Sequence, residues 1–364
     1  MFCGMCIVIC SERTESDSLE YIAEVSFGKL IGKLASYSTM MCLMGYVTSY
    51  IVVVKTLVPY IIKRFMENNL PLFFENKISV QIMIATFYSL FFLLPLSLPR
   101  KMGALRFTSL FGFAWCIFLV VVIWLIFILG REVVPDPIKN LEDADYINIS
   151  FSGIFSTFPF IISSYMYQPM IPAIYKNLEN RNMKRMEKVL LYGSSGAVFL
   201  YILISVFGYL TFVNNSEQLE ILHTQQNILV LDFKKNLYFD ISIICLVLTI
   251  MSAGPLWMLP LKDTWEDIFN EDEIMTDSQN ISVTLILTGI WFLSAILIPS
   301  IGDVLSILGL TWNPFIGFFL PVLWYLKLEK NSSILMKFWS ILILLLTFSF
   351  SVWGMYDYVL SKIS

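Results

Sequence analysis

Apolar stretches long enough to cross a membrane recur throughout this chain and limit its fold more than any other feature. A helix that crosses a bilayer needs about 20 mostly apolar residues. By that measure the sequence predicts nine full spans, at 34–62, 78–98, 104–129, 153–175, 189–213, 237–261, 281–300, 303–326 and 337–360. The segment 1–10 is too short for a further span and is predicted to form an N-terminal stub.

The composition supports an all-α polytopic membrane protein. The chain is 57% hydrophobic and 14% charged, whereas soluble domains average about 25% charged residues. A net charge of −4 provides no basic surface for nucleic acid. The single histidine, His223, excludes histidine dyads and multi-histidine metal sites. We therefore predict no enzyme, no catalytic residue, no metal site and no cofactor.

The fourth predicted span is interrupted. Three prolines and three polar residues lie within it: Pro159, Ser163, Ser164, Gln168, Pro169 and Pro172. Each proline removes a backbone donor and clashes with the preceding turn. A helix broken inside a bilayer is tolerated only where it is buried in protein or lines a cavity. Broken spans carry the binding sites of secondary transporters, so this segment is the best candidate for a site.

Polar residues also lie inside the first span. Ser49 follows Gly45 by one helical turn, a pattern that indicates a close helix contact first and a cavity wall second. Lys55 lies near the outer end of this span. A long lysine side chain there is expected to extend to the interface.

Two later spans contain weaker candidates. Ser252 precedes Gly254 and Pro255, which predict a second interrupted helix; a packing kink is the alternative to a site. Asn313 precedes Pro314 and is a candidate cavity donor, with an interhelical hydrogen bond as the alternative.

Lysine and arginine are unequally divided between the two sides of the predicted spans. The side that holds 11–33 and 176–188 carries the larger share and is therefore predicted to face the cytoplasm. The basic run 176–188 acts as an orientation determinant, with contact to anionic lipid as an alternative.

Six stretches, in their order along the chain, resemble the amino acid/auxin permease family, especially its sodium-coupled neutral amino acid transporters and the related vacuolar amino acid transporters. They are SFGKLIGKLAS (26–36), TSYIVVVKTLVP (48–59), LLPLSLPRKMGALRFTSLFGF (93–113), YQPMIPAIYKNLENRNMKRMEKV (167–189), VFGYLTF (206–212) and LPVLWYLKL (320–328).

The resemblance implies a LeuT-like inverted-repeat fold of the APC superfamily. It divides a single transporter domain (1–364) into the remainder of a first repeat (1–152), a second repeat (153–326) and an appended last helix (327–364). On this basis the fold is N-terminally incomplete, since the family's first helix and most of its second are expected to be absent. The broken span then corresponds to the family's sixth helix. The resemblance places the following residues at the substrate site: Phe158, Ser163, Ser164 and Gln168, with Ser49, Ser252 and Asn313 as weaker candidates.

One departure from the family concerns the coupling ion. Sodium-coupled members carry threonines just before the proline that matches Pro255, where this chain has Met251 and Ala253. A thioether and a methyl group are poor ligands for a hard cation. Proton coupling or facilitated movement is therefore expected in preference to sodium coupling.

The resemblance implies a secondary transporter of small neutral amino acids that works by alternating access. Its partners would be the amino acid substrate and the lipid bilayer, with no nucleic acid. The expected location is the plasma membrane or the vacuolar/lysosomal membrane. The alternative, motivated by the expected absence of the first helix, is a non-transporting nutrient sensor or a truncated, inactive membrane protein.

Overall fold

Helices make up the architecture. A computed structural model describes residues 1–16, 18–66, 74, 76–99, 106–147, 150–269, 275–329 and 333–363, and shows no strand among them. The family-like stretch 93–113, the predicted span 104–129 and the basic residues Arg100 and Lys101 lie partly or wholly outside these residues. The α-helices are α1 (Phe2–Thr14), α2 (Leu19–Phe27), α3 (Lys29–Met66), α4 (Lys77–Tyr88), α5 (Leu94–Ser97), α6 (Arg106–Leu129), α7 (Pro137–Glu142), α8 (Phe151–Ser164), α9 (Ile171–Lys176), α10 (Met183–Phe212), α11 (Ser216–Gln225), α12 (Leu237–Ala253), α13 (Met258–Phe269), α14 (Asp277–Leu297), α15 (Ile301–Leu310), α16 (Trp312–Pro314), α17 (Leu320–Leu328) and α18 (Ile334–Ile363).

The described helices confirm a polytopic membrane protein and refine the predicted spans. Seven helical stretches are long and apolar enough to cross a membrane, and an eighth is added if α15 and α16–α17, bent by 42° at their junction, are taken as one span. The remaining predicted span, 153–175, is divided between α8 and α9, neither of which is long enough to cross alone. This is the span that the sequence predicts to be interrupted.

The longest helix, α3, lies at the centre of the protein. It extends for 38 residues and packs against α4, α12, α13, α14 and α15. One buried apolar cluster joins Val47 and Ile51 of α3 to Met258 of α13 and to Leu287 and Trp291 of α14. The middle of α3 therefore faces protein rather than lipid, which places its polar residues where they can form a site.

Lys55 corrects the expectation that its side chain extends to the interface. The residue is only 4% exposed, and its Nζ donates to the carbonyl oxygens of Ala295, at 2.5 Å, and Ile298, at 2.7 Å. These carbonyls lie at the C-terminal end of α14, where backbone acceptors have no partner within the helix and a positive charge is favoured. Lys55 therefore fastens α3 to the end of α14.

The predicted N-terminal stub is a short helix that packs inside the protein. Cys6, Ile7 and Cys10 of α1 are fully buried in a cluster with residues of α9 and α17. At the end of α1, Glu12 accepts a hydrogen bond from the Tyr175 hydroxyl, and Arg13 lies 2.8 Å from the Glu329 carboxylate in an ion pair. α1 therefore fixes the second half of the broken segment.

The last long helix, α18, is anchored to the start of α15. Asp303 is 5% exposed and accepts hydrogen bonds from the Ser300 hydroxyl, at 2.8 Å, and the Tyr358 hydroxyl, at 3.1 Å. Lys362 lies 2.6 Å from the same carboxylate. These contacts hold α18 against α8 and α15. The proposed repeat boundaries at 152 and 326 stay a prediction.

Candidate functional site

The break predicted between α8 and α9 is present. α8 ends at Ser164, a 3₁₀ turn occupies Gln168–Met170, and α9 begins at Ile171. Pro169 has no backbone N–H to bond the carbonyl of Tyr165, four residues earlier, so the α-helical pattern cannot continue there. That carbonyl instead accepts a hydrogen bond from the Tyr167 N–H, at 3.1 Å. The helix therefore ends within the segment that the sequence predicts to be interrupted.

A buried polar network joins the end of α8 to two other helices. Asn313, which is fully buried, donates from Nδ2 to the Ser163 hydroxyl, at 3.0 Å, and to the Tyr46 hydroxyl, at 2.9 Å. Its Oδ1 accepts from the Cys42 thiol, at 3.2 Å. Tyr46 donates in turn to the carbonyl of Ser163, at 3.1 Å, and Ser163 donates to the carbonyl of Leu305, at 2.9 Å. Every member of this network has a partner, so it holds α3, α8 and α15–α16 in one arrangement.

The second interrupted helix meets the same part of α3. Between α12 and α13 the chain forms a 3₁₀ turn, Gly254–Trp257. The Trp257 ring stacks on the Tyr46 ring with centroids 5.8 Å apart, and its Nε1 donates to the Tyr50 hydroxyl, at 3.0 Å. Tyr46, a member of the network, therefore also contacts the second interruption through Trp257.

A third irregular segment, at the bend between α15 and α17, lies against the break. The π-helical turn Phe315–Phe319 contains Gly317, where a Cβ atom would lie 2.8 Å from the Met166 sulfur and 3.3 Å from the Gln168 side chain. Directly before the bend, a Cβ on Gly309 would lie 2.1 Å from the carbonyl oxygen of Pro159. The two glycines thus allow α8 and the break to approach these helices closely.

A cavity of about 590 Å³ lies at the break, on the side that faces α10 and α18. Aromatic residues form much of its wall, and the Phe158 ring stacks on Phe350 with centroids 4.8 Å apart. Gln168 also lines it and is only 3% exposed. Among the described residues, no group hydrogen-bonds to its Oε1 atom. The cavity therefore combines largely apolar walls with a glutamine side chain whose amide oxygen is itself buried.

The structure brings some of the predicted site residues together and separates others. Phe158 and Gln168 line the cavity, and Ser163 bonds Asn313 directly. The other three predicted residues each donate to a carbonyl of their own helix: Ser49 to Tyr46, at 2.7 Å, Ser164 to Phe160, at 2.7 Å, and Ser252 to Leu248, at 2.9 Å. The Asn313 contact is an interhelical hydrogen bond, the alternative that the sequence left open.

Cys42, Tyr46 and Trp257 belong to the site but were not among the residues predicted from the sequence. A signal for two of them was present, because Cys42, Tyr46 and Tyr50 follow one another at intervals of four residues. Residues at this spacing lie on one face of a helix, and three side chains with polar atoms on one face of a buried span indicate a functional or packing surface. For Trp257 the only signal was its position directly after the predicted interruption at Gly254 and Pro255.

Comparison with known proteins adds evidence from sequence. The family described as transmembrane amino acid transporter protein matches residues 1–360. The chain is also similar to the sodium-coupled neutral amino acid symporter 2 of Danio rerio, with 26% identity over 348 residues, which cover 88% of this chain and 65% of that relative. The chain thus spans just under two thirds of the length of this curated relative.

Proposed function

Because this chain belongs to the transmembrane amino acid transporter family, we propose that it moves small neutral amino acids across its membrane by alternating access. The observation that carries the proposal is the break between α8 and α9, which lies between a cavity and a buried polar network. The fold alone would not support this function, since sites rather than folds determine what a protein binds.

The break has the chemistry that a zwitterionic substrate needs. A neutral amino acid carries one ammonium and one carboxylate group, and both lose water when it is bound inside a membrane protein. Helix ends inside the protein offer backbone groups and a partial charge to such ions. The C-terminal end of α8 carries the partial negative charge of its helix, which favours the ammonium. The Ser163 and Ser164 carbonyls there already accept hydrogen bonds from the Tyr46 and Tyr201 hydroxyls, each at 3.1 Å. Gln168 adds an amide to the same region.

The network around Asn313 supports a role in conformational change. It joins α8, which opens the proposed second repeat (153–326), to α3 of the proposed first repeat (1–152). Alternating access in transporters of this kind involves the movement of one repeat or bundle against the other around a fixed site. Since Asn313 bonds groups of both repeats, we propose that its hydrogen bonds are made in one conformation and exchanged in another.

We also propose that transport is not coupled to sodium. Met251 and Ala253 end α12 at the second interruption, and neither side chain carries oxygen. The nearby Thr249 and Ser252 hydroxyls donate to carbonyls of their own helix, at 2.8 Å and 2.9 Å. Sodium prefers several oxygen ligands, as hard cations do in proteins. These residues support proton-coupled or facilitated transport over sodium-coupled transport.

Transport by the purified chain, residues 1–364, in liposomes tests the proposal. Labelled alanine and serine would be offered under a proton gradient, a sodium gradient and no gradient, with protein-free liposomes as the control. We expect uptake above the control that does not rise with the sodium gradient. A sodium-dependent increase would contradict the coupling, and no uptake under any condition would contradict transport itself.

A further inference from the structure

We infer that one side of α10 binds an anionic phospholipid, with the headgroup at Lys184 and Lys188 and an acyl chain along the apolar residues that follow. The inference is independent of the proposed transport, since it concerns the lipid-facing surface of the protein and not the interrupted helices. It gives a partner to the basic run 176–188, for which the sequence leaves an orientation role and a lipid contact open.

Helix α10 exposes one side over most of its length. It has 30 residues, and only 6% of its most apolar stretch is buried inside the protein. Residues three or four positions apart lie on the same side of a helix, and at this spacing two lysines are followed by mostly apolar residues. We call this side the α10 stripe, and its members, all exposed, are Lys184, Lys188, Tyr192, Ser195, Phe199 and Ile202.

The two lysines of the stripe carry charge that the protein does not neutralise. Among the described residues, neither Lys184 nor Lys188 forms an ion pair with a carboxylate, that of Glu187 on the same helix included. Both side chains are exposed, so they are free to approach an anion at the membrane surface.

The arginines of the same run already have contacts within the protein. The Arg181 guanidinium lies 4.4 Å from the centre of the Tyr175 ring, and Arg185 donates to the carbonyl oxygen of Glu179. The lysines are therefore the cations of this run to which we assign the headgroup.

The apolar part of the stripe has the length that an acyl chain needs. Tyr192, Phe199 and Ile202 are 73%, 61% and 56% exposed. At a rise of about 1.5 Å per residue, Phe199 lies roughly 16 Å along the helix from Lys188. One leaflet of the hydrocarbon core is about 15 Å thick, half of the whole. A lipid with its headgroup at the lysines can therefore lay its chain along these side chains.

The charge of the lysines selects an anionic lipid over a neutral one. The lysine end of α10 lies on the side that the sequence predicts to face the cytoplasm, and the cytoplasmic leaflet holds the anionic phosphatidylserine and phosphatidylinositol lipids. A lysine near such a surface strengthens the attraction by about five-fold. Phosphatidylcholine has no net charge and receives no such gain.

A second copy of the chain is the other occupant that an exposed apolar side of a helix could accept. Two copies related by a two-fold axis along the membrane normal would place the same end of each α10 together. Lys184 and Lys188 of one copy would then face the same lysines of the other, and like charges held together are unfavourable. The charge of the stripe therefore favours an anionic lipid over a second copy.

Native mass spectrometry of the purified chain in detergent measures the binding of single lipid molecules. Dioleoyl phosphatidylserine, which has a net negative headgroup, and dioleoyl phosphatidylcholine would be added in separate titrations. The test variant is Lys184→Gln with Lys188→Gln. Its control, Lys63→Gln with Lys139→Gln, removes the same charge from two exposed lysines on the opposite side of the predicted spans.

We expect the unmodified chain to bind phosphatidylserine at least about ten-fold more tightly than phosphatidylcholine, since both lysines contribute. The test variant is expected to lose roughly 20- to 30-fold in phosphatidylserine affinity, at about five-fold for each lysine, and to bind phosphatidylcholine as before. The control variant should bind phosphatidylserine as the unmodified chain does, and so should Lys184→Arg with Lys188→Arg, which keeps both charges.

Several outcomes would overturn the inference. Equal affinity for the two lipids would do so, as would equal losses in the test and control variants. Displacement of phosphatidylserine by glycerophosphoserine, which has no acyl chain, would show that the apolar residues take no part. A dimer that forms without added lipid and that Phe199→Lys abolishes would show that a second copy occupies the stripe.

Discussion

Prolines interrupt two helices near the centre of this protein, and the two interruptions have different outcomes. At Pro169 the helix stops, the chain turns through Gln168–Met170, and α9 begins afresh. At Pro255 the chain passes through the 3₁₀ turn Gly254–Trp257 and continues, so that residues Leu237–Phe269 still form one apolar span. The sequence signal is similar in the two places, but of these two interruptions only the second leaves one continuous stretch that is long and apolar enough to cross a membrane.

The surroundings of the two interruptions explain their difference. The first lies beside a cavity of about 590 Å³ and leaves the Gln168 oxygen without a donor among the described residues. At the second, the Tyr88 hydroxyl lies 2.5 Å from where a Cβ on Gly254 would stand, and it donates to the carbonyl of Met251, at 3.2 Å. Tyr88 therefore fills the space and satisfies the backbone there. A proline shows where a helix can break, whereas the neighbouring side chains decide whether the break leaves room for a ligand.

The largest effect is expected from Asn313→Leu, which removes the network at the first interruption. Three hydrogen bonds are lost at a fully buried position, so we expect a loss of about 2–4 kcal/mol in unfolding free energy, at roughly 1 kcal/mol for each bond with an added penalty for groups left unpaired. Thermal or denaturant unfolding in detergent measures this loss of stability.

Ser252→Ala, the matched change at the second interruption, removes only a bond within its own helix and should change stability by less than about 0.5 kcal/mol. Equal losses would show that the two interruptions do not differ in this way.

An intermediate effect is expected from Gly309→Ala, which acts on the close approach of α15 to α8. The added Cβ would meet the backbone carbonyl of Pro159 at 2.1 Å, and backbone atoms can make room only if the helices separate. We expect a loss of about 1–3 kcal/mol, as for other overpacked positions, together with reduced uptake in liposomes.

Gly289→Ala is the control for this change, because no described atom lies within 4 Å of the Cβ position on that helical glycine. It should leave stability unchanged or raise it by up to about 1 kcal/mol, since alanine favours a helix over glycine. A harmless Gly309→Ala would mean that α8 and α15 are less closely packed than the structure shows.

The smallest effect is expected from Tyr88→Phe at the second interruption. The ring remains in its buried position while the hydrogen bond to the Met251 carbonyl is lost, so we expect a loss of about 0.5–1.5 kcal/mol. Unfolding in detergent checks the stability, and alanine uptake checks the function. A loss of uptake as large as that in Asn313→Leu would show that the second interruption contributes to transport directly.

Particular residues show which features of the site could be predicted from the sequence and which could not. The break at 165–170 was predictable because proline acts on its own helix. The shared face of Cys42, Tyr46 and Tyr50 was also open to prediction, because helical periodicity is a local property. Their contacts were not predictable, since Cys42 bonds Asn313 from 271 residues away. The prediction for Lys55 was wrong for the same reason, because its partners Ala295 and Ile298 lie about 240 residues away along the chain.

The sequence by itself determined the all-helical membrane class, the approximate position of the apolar spans, the interrupted helices and the family. These properties depend on the hydrophobicity of each segment and on the local geometry of proline, and both are read from neighbouring residues. Only the tertiary structure decided which interruption opens beside a cavity, which polar residues meet, and which turn back to their own helix. Those outcomes depend on how side chains from distant segments fill the space around a break, because a buried polar group needs a partner wherever one can reach it.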